Sequence, residues 1–192
     1  MSADQAAARQ EAQALGWLAA VAAGSEAALA EFYRAFQGRV YAFALKRLGN
    51  PAEAADVVND TMLQVWRTAD RFEGRSRALT WVLGIANHKV LDKLRQRGRD
   101  ATEELDEELP DSRAADACEL IAHQQHSEYL RRCLQTLSGV QRQVVQLAFF
   151  DELSYPEIAS VMDCPEGTVK TRMFHARQGL KRCLSRLLGD SP

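Results

Sequence analysis

Between residues 100 and 116 the chain reads DATEELDEELPDSRAAD, with a proline, few large apolar side chains and dense like charge. Such a stretch buries too little apolar surface to offset the entropy lost on ordering it. No single hydrophobic core can run through it. The chain is therefore expected to fold as two small units joined by a flexible acidic linker, which 192 residues allow. A hydrophobic content of 46% is enough for a core on each side. Residues 100–119 hold nine acids against one arginine, net −8. Residues 71–99 are net +6, and residues 166–186 are net +5. Two basic segments around an acidic one point to two modules that face nucleic acid. The formal total of −2 conceals this, because binding follows the local field and not the sum.

No window alternates with period two, so the fold class is all-α. The expected division is an N-terminal extension over 1–24, a helical domain over 25–99, the linker over 100–118 and a second helical domain over 119–189. In the first domain, Ala27 to Leu48 is a long helical pattern, with Gly38 as a candidate interruption. Gly49-Asn50-Pro51 ends it. Asn50 then caps a helix with Pro51 first and Glu53 in the capping-box position. Ala55, Val58, Met62, Val65 and Ala69 form its apolar face, with Leu63 and Trp66 beside it. Asp56, Asn59, Asp60 and Gln64 lie on the polar side. Glu73 to Arg77 reads as a basic loop, followed by a helix over about Leu79 to Arg97. In the second domain, Glu119 to Leu137 is helical. Ser138 and Gln141 restart a helix carrying Val140, Val144, Val145 and Leu147 into Phe149-Phe150.

Residues 154–182 carry the most specific local pattern. Ser154 and Glu157 form a capping box, and Ile158, Ala159 and Met162 make a buried stripe. Asp163-Cys164 turns the chain, and Pro165 suits the first position of a second helix. There Val169, Met173, Ala176 and Leu180 share one face. Lys170, Thr171, Arg172, Phe174, His175 and Arg177 lie off it. This is the layout of a DNA-reading helix-turn-helix. An exposed aromatic among basic residues suits contact with a thymine methyl, with Lys170 and Arg172 for phosphate or base edges. Taken alone, the motif also fits a helical hairpin with a solvated charged face.

Several classes are set aside. The weakly polar run Ala14 to Gly24 is too short to span a bilayer. Asp4 and Glu11 precede it, so neither membrane insertion nor a signal peptide is expected. Cys118, Cys133, Cys164 and Cys183 include no close pair and are expected as reduced thiols. Cys118, His123, His126 and Cys133 follow no zinc-ligand spacing, while His126, Leu130, Cys133 and Leu137 share a helix face as core residues would. No metal is expected. No Ser-His-Asp set, glycine-rich phosphate loop or paired-carboxylate motif occurs, so no catalytic residue, cofactor or small-molecule substrate is expected.

The order of these parts resembles the extracytoplasmic-function (ECF, group IV) sigma factors of bacterial RNA polymerase, in the sigma-70 family. The likeness covers about 25–97 and 128–185. It is carried by PAEAADVVNDTMLQVWRTADRF (51–72), TWVLGIANHKVLDKLRQR (80–97) and LSYPEIASVMDCPEGTVKTRMFHARQGL (153–180). The resemblance implies a region 2 bundle that binds the polymerase and melts the promoter, and a region 4 helix-turn-helix. It assigns Asp56, Asn59, Asp60 and Gln64 to the clamp helices of the polymerase's largest subunit. It adds the flap of the second subunit as a further contact on core polymerase. Arg75, Ser76 and Arg77 become loop contacts to the −10 element, where the family captures a base flipped from the non-template strand. Flipping needs a pocket and positive charge to hold the displaced strand. Lys89, Lys93, Arg95 and Arg97 become backbone contacts. His88 stands where the family usually has asparagine. Trp81 either borders the melting point or is a core tryptophan. Lys170, Thr171, Phe174 and His175 take the recognition positions for the −35 element, with Arg172 and Arg177 near them and Arg142 against the DNA backbone.

The family also implies an anti-sigma factor as partner. The location implied is cytoplasmic: at the nucleoid within the holoenzyme, or held at the membrane by that partner. The expected function is promoter-specific initiation in a stress or envelope/redox response. The acidic linker suits either a nucleic-acid mimic in the basic RNA-exit path or a solubilising spacer. Two rival functions stay open: a repressor or activator that binds an operator without polymerase, and a helical protein-interaction or redox-sensing module.

Overall fold

The computed structural model describes residues 3–100 and 129–189. Most of the acidic linker lies outside the described residues, as do Cys118, His123, His126 and the start of the helix expected over 119–137. The described residues are helices and turns, with no strand among them. The chain divides into two compact units, Met1–Asp111 and Ser112–Pro192. The all-helical, two-unit architecture is as expected.

The first unit holds α1 (Ala3–Ala22), α2 (Glu26–Leu48), α3 (Pro51–Thr68), a 3-10 turn (Ala69–Arg71) and α4 (Ala78–Asp100). Ser25 starts α2, its hydroxyl oxygen accepting the Ala28 N–H at 3.2 Å. Gly49 ends it with φ +66, its N–H reaching the Leu45 carbonyl. That backbone conformation strains any residue with a Cβ. Gly38 does not interrupt α2, because packing on both sides outweighs one glycine's cost of about 1 kcal/mol. Phe32, Phe36, Val40, Phe43, Ala44 and Leu48 recur at three and four residues and are buried. Against them pack Leu18 and Val21 of α1, Val57, Val58, Met62 and Val65 of α3, and Val82, Leu83, Ala86 and Val90 of α4.

Asn50 caps α3 as expected, its carbonyl oxygen accepting from Ala52 at 2.9 Å and Glu53 at 3.2 Å. Val58, Met62 and Val65 of α3, and Ala69 just after it, are buried as expected, but Ala55 is exposed, and Ala54 and Val57 complete the inward face. Alanine carries too little apolar surface for the pattern to fix the phase.

The second unit holds α5 (described over 129–135), α6 (Gly139–Phe149), α7 (Tyr155–Met162) and α8 (Glu166–Gly189). Its core is Cys133, Leu137, Val144, Val145, Leu147, Leu153, Ile158, Val161, Val169, Met173 and Ala176. Val161 fills the place expected for Met162, which is only half-buried. Of the apolar residues expected along α6, Val144, Val145 and Leu147 are buried and Val140 is exposed, as are Phe149 and Phe150 at its end.

The expectation of four reduced thiols needs correction. Cys133 and Cys183 form a disulfide across 50 residues, and Cys164 is the free cysteine among the described residues. Sequence distance concealed the pair. Leu137 lies four residues after Cys133, and Gly179 lies four residues before Cys183. A Cβ at Gly179 would sit 3.1 Å from the Leu137 side chain. The glycine therefore permits the close approach that brings the two cysteine Cα atoms to 5.6 Å.

Candidate nucleic-acid interface

The helix-turn-helix is α7, a turn and α8. Glu157 accepts from both the backbone N–H (2.8 Å) and the hydroxyl (2.7 Å) of Ser154. Asp163 turns the chain with φ +48, and Cys164 donates back to the Ala159 carbonyl at 3.1 Å. Aspartate tolerates this left-handed region better than most residues. Pro165 stands just ahead of α8 and not within it. Its carbonyl accepts from Thr168 (2.9 Å) and Val169 (3.3 Å).

Val169, Met173 and Ala176 are buried, so Lys170, Thr171, Phe174, His175 and Arg177 are all exposed along one flank of α8. Phe174 is 58% exposed, with its ring 5.5 Å from that of His175, edge to face. Lys170 pairs with Glu166 at 2.7 Å, and this hydrogen bond raises its pKa. Thr171 returns its hydroxyl to the Gly167 carbonyl at 3.0 Å. Arg172 is half-buried and donates to the Cys164 sulfur at 3.6 Å. Arg142 is engaged elsewhere. Its guanidinium donates to the carbonyls of Leu134 (3.0 Å), Gln135 (2.9 Å) and Leu137 (3.2 Å), closing the C-terminal end of α5.

In the first unit, the loop from Phe72 to Arg77 joins the 3-10 turn to α4. Gly74 bends it with φ +68. Arg75 is exposed and pairs with Glu73 at 2.8 Å. Ser76 is half-buried and Arg77 exposed. Trp81 is half-buried, its ring 5.1 Å from that of Phe72, so it closes the neck of the loop. Farther along α4, His88 is exposed and Lys89 half-buried. Arg95 pairs with Asp92 at 3.1 Å on the same helix. Arg97 turns into the unit. It donates to the Leu48 carbonyl at 2.8 Å and to both oxygens of Glu53, with Nε at 3.2 Å. Glu53 therefore serves as this partner and not in the capping box expected of it.

On α3, Asp56, Asn59 and Asp60 are exposed and Gln64 is half-buried. Asp56 pairs with Lys93 of α4 at 3.0 Å. Two residues expected to meet different partners thus meet each other here. Asn59 accepts the Tyr33 hydroxyl at 3.4 Å. These two residues line a groove of about 540 Å³ with Arg34, Gln37, Tyr41 and Val58.

Two connections had no signal in the sequence. Arg47 lies over the Phe43 ring at 5.7 Å and donates to the side-chain amide oxygen of the buried Asn87. Burial pushes its pKa down to about 10, so it stays cationic at neutral pH. Glu11 of α1 accepts the Ala78 N–H at 2.8 Å.

A family model described as sigma-70 region 2 matches residues 32–100, and one described as sigma-70 region 4 matches residues 127–180. The chain is 30% identical over 163 residues to the ECF RNA polymerase sigma factor SigK of Mycolicibacterium vanbaalenii, which covers 82% of each chain. It is 32% identical over 161 residues to the ECF RNA polymerase sigma factor RpoE of Cereibacter sphaeroides, covering 83% of this chain and 88% of that one. Among solved structures it is similar to the sigma factor RpoE of Bartonella quintana in complex with the anti-sigma factor NepR. That likeness has a TM-score of 0.63 at 26% identity, and covers 81% of this chain and 93% of the other.

Proposed function

The chain belongs to the ECF group of the sigma-70 family, and from that premise we propose how its two units divide the work of initiation. It is an alternative sigma factor that directs transcription. The family consists of non-enzymatic initiation factors, so phosphodiester synthesis falls to the polymerase. One observation carries the division: two separate helical units match region 2 and region 4 in that order.

In this reading α3 docks on the clamp helices of core polymerase through Asp56, Asn59, Asp60 and Gln64, with charge setting the register. The second unit engages the flap. Arg75, Ser76 and Arg77 hold the displaced strand of the −10 element. His88, Lys89, Lys93 and Arg95 follow its backbone along α4, and Trp81 borders the melted step through its contact with Phe72. Lys93 reaches DNA only by leaving Asp56, so polymerase docking on α3 and DNA contact by α4 draw on one ion pair. α8 reads the −35 duplex through Lys170, Thr171, Phe174 and His175, with Arg172 and Arg177 at its margins. Arg97 and Arg142 support the fold in this reading, because their guanidinium groups are bonded inside their own units.

The partners we infer are core polymerase, promoter DNA and an anti-sigma factor, the last supported by the complex in which the Bartonella relative was solved. No described helix is long and apolar enough to cross a membrane. We place the chain in the cytoplasm, at the nucleoid when in holoenzyme. A stress or redox response suits the Cys133–Cys183 bond within the DNA-reading unit. Run-off transcription with core polymerase on a promoter library tests the reading. Initiation from a defined pair of promoter elements is expected, with poor promoter binding by the chain alone. Tight specific binding by the isolated chain, without effect on polymerase, would favour an operator-binding repressor instead.

A further inference from the structure

The region 2 match begins at residue 32 and leaves out α1. Yet α1 touches both ends of the loop assigned to the −10 element. It buries Ala14, Leu18 and Val21 and packs on the Ala69–Arg71 turn that leads into the loop. At the other end, the Glu11 carboxylate accepts the Ala78 N–H at 2.8 Å, across 67 residues of sequence. Ala78 is the first residue of α4, and its amide is one of the four that a helix start leaves without an intrahelical partner. The position just before the helix offers no substitute. Residue 77 is an arginine, whose side chain has no acceptor, and no acid lies in the first turn of α4. Glu11 acts as a cap supplied from another helix. It satisfies the amide and sets a negative charge at the positive end of the helix dipole.

We propose that Glu11 is a positioning residue for −10 recognition. It fixes the first turn of α4 against α1, the helix that also packs on the Ala69–Arg71 turn. The two posts of the Phe72–Arg77 loop are thereby held at a set spacing, with Phe72 and Trp81 in ring contact between them. A loop held at both ends loses less conformational entropy when it closes on a flipped base. The inference rests on reading this loop as the −10 contact.

The test compares Glu11→Ala, Glu11→Gln and Arg75→Ala in the full chain with core polymerase, on a duplex promoter recovered from the library selection. Three quantities are read: affinity for core polymerase, the rate of promoter opening from 2-aminopurine fluorescence at the −10 element, and amide exchange at residues 78–81. Glu11→Ala is expected to slow opening about three- to tenfold, the size of a lost helix cap. Exchange at 78–81 rises and core affinity is unchanged. Glu11→Gln keeps an acceptor oxygen and stays within about twofold of the parent. Normal opening in Glu11→Ala beside slow opening in Arg75→Ala overturns the inference and leaves the loop reading intact. Normal opening in Arg75→Ala overturns the loop reading itself. A parallel loss of core affinity in Glu11→Ala assigns the residue to general stability and also overturns the positioning role.

Discussion

Each unit supports one long helix with a basic exposed face, α4 in the first and α8 in the second, and the supports differ in kind. α4 lies on a core that draws on three other helices. Those same helices send polar side chains to it: Glu11 from α1, Arg47 from α2, and Glu53 and Asp56 from α3. α8 buries Val169, Met173 and Ala176 in its first half. Its second half is fixed by a glycine contact and a covalent bond, Gly179 on Leu137 and Cys183 to Cys133. Surface-to-volume scaling explains the contrast, because a small unit buries proportionately less and gains more from a cross-link.

The largest test of this contrast is Phe32→Ala. It removes a fully buried ring and should cost the first unit about 3–5 kcal/mol. The melting transition of the second unit should stay where it was. A joint shift of both transitions in calorimetry would break the comparison, since the units would then share stability. Next is Cys183→Ser, expected to cost the second unit about 2–4 kcal/mol by releasing a loop of 50 residues. Denaturation with and without reductant checks it, and a parent chain insensitive to reductant would remove the covalent half of the argument.

Arg97→Ala should destabilise the first unit by about 1–2 kcal/mol, a range held low because its partners are partly solvated. The salt dependence of promoter binding should not change. Unchanged stability with a salt slope lower by about one would instead make Arg97 a phosphate contact. The smallest effect has the opposite sign. Gly38→Ala meets nothing within 4 Å and should stabilise α2 by about 0.5–1 kcal/mol, visible as a higher urea midpoint.

Much of this molecule can be read from local pattern. The caps at Asn50, Ser138 and Ser154, the turn at Asp163 and the face of Val169, Met173 and Ala176 all follow from residues within four positions of one another. Alanine-rich α3 shows the limit: Val58, Met62, Val65 and the following Ala69 are buried as read, but Ala54 takes the inward place expected of Ala55. Single glycines mislead in the same way. Gly49 ends a helix and Gly38 does not, and what separates them locally is the Asn50-Pro51 that follows Gly49. Among the candidate site residues, the exposed flank of α8 was legible because its buried face was. Arg97 and Arg142 were not, because a basic residue near a helix end reads the same whether it faces solvent or a neighbouring carbonyl.

The sequence by itself determined two helical units, the break between them, the helix-turn-helix and a basic helix in each unit. These depend on periodicity, capping and charge density, which act over a few residues. The tertiary structure alone decided which cations remain outward, that Cys133 meets Cys183, and that Glu11 caps α4. Those outcomes link residues 44, 50 and 67 positions apart. They depend on how packed helices are rotated and how closely they approach, and no local preference encodes either quantity.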